Sequence, residues 1–248
     1  MDRVVIIGNG VMGKGISRLL SQNRVSSSII SGHDFVREPF SFDEEILKAD
    51  FVIECLPENL EIKKMMLTSC SDLKYRGLIG SCTSSLSIND LQNHAPSPEN
   101  FIGIHFMNPP TLIRVVEVIA GNLTGKDTLK KIVHWLESIK CIPVSVKDTP
   151  GFLVNSILFV MLNQAAKMSE LTDLNPALID TTISNVCGHK LGPLATLDMI
   201  GIDVSIMILE QLHAREPSTF PEPAQILYVM RDSGYLGRKT RKGFYSYK

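Results

Sequence analysis

Val4-Val5-Ile6-Ile7-Gly8-Asn9-Gly10-Val11-Met12-Gly13 lies close to the start of the 248-residue chain and decides how the rest is read. Four consecutive β-branched residues suit a strand buried on both faces. Met12, Ile16, Leu19 and Leu20 then recur at the spacing of one helix face. Between strand and helix the glycines fall in G-x-G-x-x-G order. In that context Gly8 permits a tight turn, Gly10 lets backbone approach a pyrophosphate, and Gly13 lets the helix pack closely on the strand. The unpaired N–H groups of the first helical turn would face the anion. Gly8, Gly10, Val11, Met12 and Gly13 are therefore candidate cofactor-binding residues. In another context the same glycines would only shape a turn.

Downstream, strand-like runs at 28–30, 51–54, 78–80, 101–104, 115–118 and 142–146 alternate with helical patterns. One helix begins near Lys126 behind a Thr124-x-x-Asp127 cap signal. Strand–helix alternation predicts an α/β fold with a parallel, doubly wound sheet, because parallel neighbours need crossover helices. The pattern changes at Asp148-Thr149-Pro150-Gly151. Beyond it only helices are predicted, at 152–171, 176–186, 202–213 and 224–231. The expected domains are 1–148, nucleotide-binding, and 149–248, all-helical.

Composition removes several classes of function. Lys and Arg total 25 against 26 Asp and Glu, so no global charge attracts nucleic acid or an anionic membrane. The most apolar run, 157–162, is far short of the roughly 20 residues of a membrane span. Cys55, Cys70, Cys82, Cys141 and Cys187 are odd in number and form no C-x-x-C pair, which disfavours a disulfide framework or a Cys-rich metal site. No metal is expected. The first strand starts too early to leave room for a cleavable leader, and a cytoplasmic location is expected.

The acid that usually binds the ribose 2′-hydroxyl, about 20 residues past the glycine loop, is replaced by Ser31, with His33, Asp34 and Arg37 just beyond. NAD is the expected cofactor, and a hydroxyl beside cationic groups leaves NADP open. His105 ends a strand and Glu117 lies on the next, a spacing that suits a general base oriented by a carboxylate but, taken alone, is more commonly a buried histidine satisfied by one.

Glycine loop, Pro57-Glu58-Asn59-Leu60, Thr83-Ser84-Ser85-Leu86, His105-Phe-Met-Asn108-Pro109, Val116-Glu117-Val118 and Asp148-Thr-Pro-Gly-Phe-Leu-Val-Asn155 occur in that order. Leu191-Gly-Pro193, Leu197-Asp198 and Lys242-Gly243-Phe244-Tyr245 follow. Together they resemble the 3-hydroxyacyl-CoA dehydrogenase family over nearly the whole chain. The resemblance implies a Rossmann-type domain, a helical substrate and dimerisation domain, and hydride transfer between a nicotinamide cofactor and C3 of a 3-hydroxyacyl thioester. It implies His105 as base and Glu117 as its orienter, with Ser84 and Asn155 on the substrate oxygens. It also implies cofactor contacts from Glu58, Lys63, Ser84, Asn108 and Lys239, and a homodimer. The chain departs from the family at 31–50, where a helical hairpin that clamps the CoA nucleotide is reduced to about twenty residues. Cys82 replaces an Asn and Ser156 an Arg. An acyl carrier protein is therefore an expected partner beside CoA. A free 3-hydroxy acid as substrate, or a non-catalytic dinucleotide-binding protein, are the alternatives.

Overall fold

The computed structural model describes residues 1–172 and 174–248, and for 36, 39 and 40 the backbone alone. It divides into two compact units, Met1–Phe152 and Leu153–Lys248.

In the first unit the strands are β1 (Arg3–Ile7), β2 (Ser26–Ile30), β3 (Phe51–Glu54), β4 (Leu78–Ser81), β5 (Phe101–Phe106), β6 (Val115–Ile119) and β7 (Ile142–Val146). The helices are α1 (Val11–Gln22), α2 (Gly32–Arg37), α3 (Asp43–Leu47), α4 (Leu60–Asp72), α5 (Ile88–Gln92) and α6 (Lys126–Ser138). The strands form one sheet in the order β2-β1-β3-β4-β5-β6-β7. The chain leaves β1 to one side for β2 and returns to the other for β3, so the switch point lies where the glycine loop emerges.

The sheet is not wholly parallel, as the alternation had suggested. β6 runs antiparallel to β5, whereas every other neighbouring pair is parallel. Residues 107–114 are all that join β5 to β6, and a parallel return needs a crossover of about a dozen residues or more. Nor does Thr124 cap α6, whose N-cap is Gly125 without a side-chain bond. The Thr124 hydroxyl is used instead in donating to the Phe101 carbonyl at 2.8 Å.

Apolar residues on the strands alternate between two cores. Val5 and Ile7 of β1 pack with Phe35, Ile46, Met66 and Ile88 from α2 to α5. Val4 and Ile6 pack with Ile16, Leu19, Ile132 and Trp135 from α1 and α6. Burying such side chains contributes about 1.5–3 kcal/mol each. Phe152 belongs to the first of these cores, which explains why the compact unit runs past the Thr149-Pro150 boundary signal.

The second unit comprises α7 (Val154–Thr172), α8 (Pro176–Cys187), α9 (Pro193–Ile200), α10 (Ile202–Arg215) and α11 (Gln225–Asp232). α9 was not legible as a helix, being short and opened by Gly192 and Pro193. Two buried carboxylates organise this unit. Asp180 accepts the N–H groups of Leu194 and Ala195, each at 2.8 Å, and so caps α9. Asp198 accepts the N–H groups of Phe244 and Tyr245 and the Tyr247 hydroxyl, each at 2.9 Å. The Leu197-Asp198 and Lys242-Gly243-Phe244-Tyr245 motifs are thus joined by hydrogen bonds, and the Tyr245 hydroxyl also donates to Asp180 at 2.8 Å.

Candidate active site

The glycine loop has the geometry a dinucleotide requires. Gly8 has φ +121°, and a Cβ there would lie 2.3 Å from the Cys55 carbonyl oxygen. A Cβ on Gly13 would lie 1.9 Å from the Gly8 carbonyl oxygen, so α1 could not sit so close to the turn. At Gly10 a Cβ would meet nothing within 4 Å, so the backbone there faces open space. Residues 8–12 border a cavity of about 680 Å³ shared with Gly32, His33, Arg37, Cys55, Leu56, Pro57 and Ile62. A dinucleotide would fit this arrangement, and Gly10 and the start of α1 are the groups that would hold its pyrophosphate. Ser31, at the end of β2, is the N-cap of α2 and accepts the Asp34 N–H at 3.5 Å.

Beside the loop, at the ends of β3 and β4, lies a buried charged chain. Glu54 accepts the Leu56 N–H at 2.6 Å, the Lys63 ammonium at 2.7 Å and the Ser81 hydroxyl at 2.5 Å. The Lys63 ammonium also lies 3.5 Å from Glu58. Glu58 in turn gathers the segment after β4 around one oxygen. Oε1 accepts the hydroxyls of Thr83 and Ser85 at 2.6 and 2.7 Å and the N–H groups of Ser84 and Ser85 at 2.9 and 2.8 Å. Burial pushes the Glu58 carboxyl up, but the Lys63 ammonium and these hydrogen bonds outweigh it and hold it below the usual carboxylate value. Burial pushes the Lys63 ammonium down, and Glu54 and Glu58 outweigh that to hold it above its usual value. Glu58 and Lys63, expected as cofactor contacts, thus have protein partners that fix the backbone at Ser84. Glu54 was missed, because one acid closing an apolar run reads as an exposed strand end.

Cys82, in the place of the family's Asn, has its Sγ 3.5 Å from that of Cys55. Burial, the Cys55 thiol and nearby Glu54 push the Cys82 thiol well up, the Lys63 ammonium opposing.

His105 and Glu117 are opposite one another in the antiparallel β5–β6 pairing. Directly paired residues project from the same face, so twelve residues of sequence separation collapse to a contact. His105 Nδ1 is 2.6 Å from Glu117 Oε2, with both side chains buried. An ionised carboxylate only accepts, so Nδ1 is the donor in this bond, and in the neutral imidazole that leaves the lone pair on Nε2. The Phe152 ring packs against the imidazole, with centroids 5.7 Å apart and planes tilted by 56°. Phe152 stood in a quoted motif, yet nothing in its type or spacing revealed this role. Asp148 of the same motif accepts the Ser87 hydroxyl and the Asn89 N–H, each at 2.8 Å, at the start of α5.

The remaining expected residues are placed as follows. Asn108 lies exposed in the β5–β6 connection, and Pro110 of that connection rests where a Cβ on Gly15 of α1 would be. In the second unit Asn155 is buried in the first turn of α7. Lys239 pairs with Asp203; burial pushes the Asp203 carboxyl up, and Lys239 and backbone N–H groups outweigh it and hold it low.

The family model described as 3-hydroxyacyl-CoA dehydrogenase, NAD binding domain, matches residues 36–149. The one described as 3-hydroxyacyl-CoA dehydrogenase, C-terminal domain, matches 151–247. The chain belongs to the 3-hydroxyacyl-CoA dehydrogenase family. The glycine loop lies upstream of the matched residues, and its assignment rests on the geometry above. A probable 3-hydroxybutyryl-CoA dehydrogenase of Deinococcus radiodurans is 34% identical over 244 residues, covering 97% of this chain and 86% of that protein. The mitochondrial hydroxyacyl-coenzyme A dehydrogenase of Sus scrofa is 30% identical over 290 residues, covering all of this chain and 92% of that one. That alignment is longer than this chain, so the relative carries segments without a counterpart here. The crystal structure of (S)-3-hydroxybutyryl-CoA dehydrogenase from Ralstonia eutropha superposes with a TM-score of 0.91 at 29% identity, covering 100% of this chain and 99% of that one. The chain is accordingly an oxidoreductase with a nicotinamide dinucleotide site.

Proposed function

We propose that this member of the family interconverts the C3 hydroxyl and C3 ketone of an acyl thioester. The observation that carries the reading is the 2.6 Å contact between His105 Nδ1 and Glu117 Oε2 near the carboxyl end of β5. In the oxidative direction His105 Nε2 takes the hydroxyl proton, and the imidazolium that forms is balanced by the Glu117 carboxylate at Nδ1. The dinucleotide, when bound, supplies the acceptor for the hydride leaving C3. Glu58, itself anchored through Lys63 to Glu54, holds the backbone at Ser84, so that the Ser84 hydroxyl meets the C3 oxygen at a fixed place. Asn155 is assigned to the thioester carbonyl.

Between β2 and β3 the chain makes only two short α-helices and a 3₁₀ turn, in place of the family's nucleotide-clamping hairpin. This favours an acyl group delivered on a carrier protein as substrate beside acyl-CoA. Five free cysteines suit a reducing, cytoplasmic setting. Exposed Ile157, Leu171, Leu178 and Val186 on α7 and α8 suit a homodimer formed through the helical unit.

The test is a spectrophotometric assay crossing NADH and NADPH with 3-oxoacyl chains on CoA and on carrier protein. Turnover is expected with thioesters, and His105→Gln should lower kcat by about 10²–10⁴-fold. Turnover unchanged in His105→Gln, or confined to free acids, would refute the reading.

A further inference from the structure

The choice between NAD(H) and NADP(H) is made beside the end of the second strand, where the adenosine ribose lies. Here that point is tied to the glycine loop, because the Gly8 N–H donates to the Ile30 carbonyl at 2.8 Å. Ser31 follows directly. A Cβ on Gly32 would lie 2.7 Å from Leu56 Cδ2 and 3.7 Å from Gly8 Cα, so the chain touches the loop as it enters α2. The cavity in front of the loop is therefore walled by Gly32, His33 and Arg37 on one side and residues 8–12 on the other.

The charge of that wall is the informative property. An acid at the end of β2 accepts from a ribose 2′-hydroxyl and repels a 2′-phosphate. This position holds the neutral Ser31, whose oxygen accepts from the Asp34 N–H and whose proton remains to be donated. Among the described residues no carboxylate lines the cavity, whereas Arg37 and His33 do. Ser31 and the neighbouring acid Asp34 both flank the lining without being part of it, and Asp34 Oδ1 lies 3.3 Å from His33 Nδ1. Arg37 also borders a smaller hollow with Asp34 and Glu38, yet among the described residues it forms no ion pair with either. An exposed guanidinium without a carboxylate partner, at the rim of a dinucleotide cavity, suits a phosphate dianion, which it can bind through two parallel N–H bonds.

We propose that Ser31, His33 and Arg37 form a subsite for the 2′-phosphate of NADP(H), and that the enzyme prefers NADP(H) to NAD(H). The proposal rests on the dinucleotide-dependent function above and adds the identity of the cofactor. Ser31 donates to a phosphate oxygen, Arg37 holds the dianion, and His33 adds a further donor.

Calorimetric titration of the intact protein tests this without any substrate. NADPH is expected to bind at least about tenfold more tightly than NADH, and 2′,5′-ADP at least about tenfold more tightly than 5′-AMP. Arg37→Gln, an exposed position whose change should not disturb folding, is expected to bring both ratios close to one. Ser31→Asp should invert them. Equal or tighter binding of NADH, or an Arg37→Gln protein that weakens for both cofactors equally, would overturn the subsite and leave the oxidoreductase reading standing. Failure of both dinucleotides to bind would overturn both readings. Thioester turnover is scored separately, so an inactive protein that still prefers NADPH would sink only the assigned substrate.

Discussion

Without its ammonium, Lys63 would leave the carboxylates of Glu54 and Glu58 sharing a region closed to water, 2.7 and 3.5 Å from where Nζ had been. Breaking a buried pair in this way costs about 3–5 kcal/mol. Lys63→Met is therefore expected to lower the urea midpoint strongly, and a loss below about 1 kcal/mol would mean that the charges are less buried than described. Glu58 gives a pH-dependent counterpart. Its carboxyl is held below the unfolded value of about 4.3, so its stabilisation is complete above that pH and fades as pH falls through the lower folded value. The stability gap between the wild type and Glu58→Gln, followed by urea unfolding across a pH series, should be constant near neutrality and close in acid. A gap that persisted into strong acid would contradict the assignment. Legibility was uneven at this scale. Gly8 and Gly13 declare themselves because their spacing falls directly between a strand and a helix, whereas Glu54 and Phe152 act through neighbours far along the chain.

The strand–turn–helix element at the start of the chain was readable almost to the residue, since its demands are local. Gly13→Ala is expected to force the turn away from α1, costing about 1–3 kcal/mol and weakening dinucleotide binding, as thermal unfolding and cofactor titration would register. An unchanged affinity would imply that the loop accommodates a methyl group where the Gly8 carbonyl now sits. The direction of β6 was less readable, because apolar alternation is blind to strand polarity. The brevity of 107–114 carried the information instead. Thr124 illustrates a competing local bond, its hydroxyl serving β5 in preference to α6.

For the molecule as a whole, Leu171 and Val186 are 77% and 79% exposed, a burden that association would relieve. Sedimentation equilibrium should report a dimer, with Leu171→Asp/Val186→Asp shifting it toward monomer; a monomeric wild type would remove the assembly. The helical composition of the second unit was legible from periodicity, but its bracing was not: Asp180 and Asp198 meet partners tens of residues away, a pairing no local pattern encodes. The hairpin that carries His105 and Glu117 sets a further constraint, since the two occupy a single rung of its ladder. Deleting one residue between the turn and Glu117 would rotate the acid to the opposite side of the sheet, while deleting two would restore the side but displace it along the strand. Evolution can thus rewrite the side chains of this hairpin more easily than it can change their number.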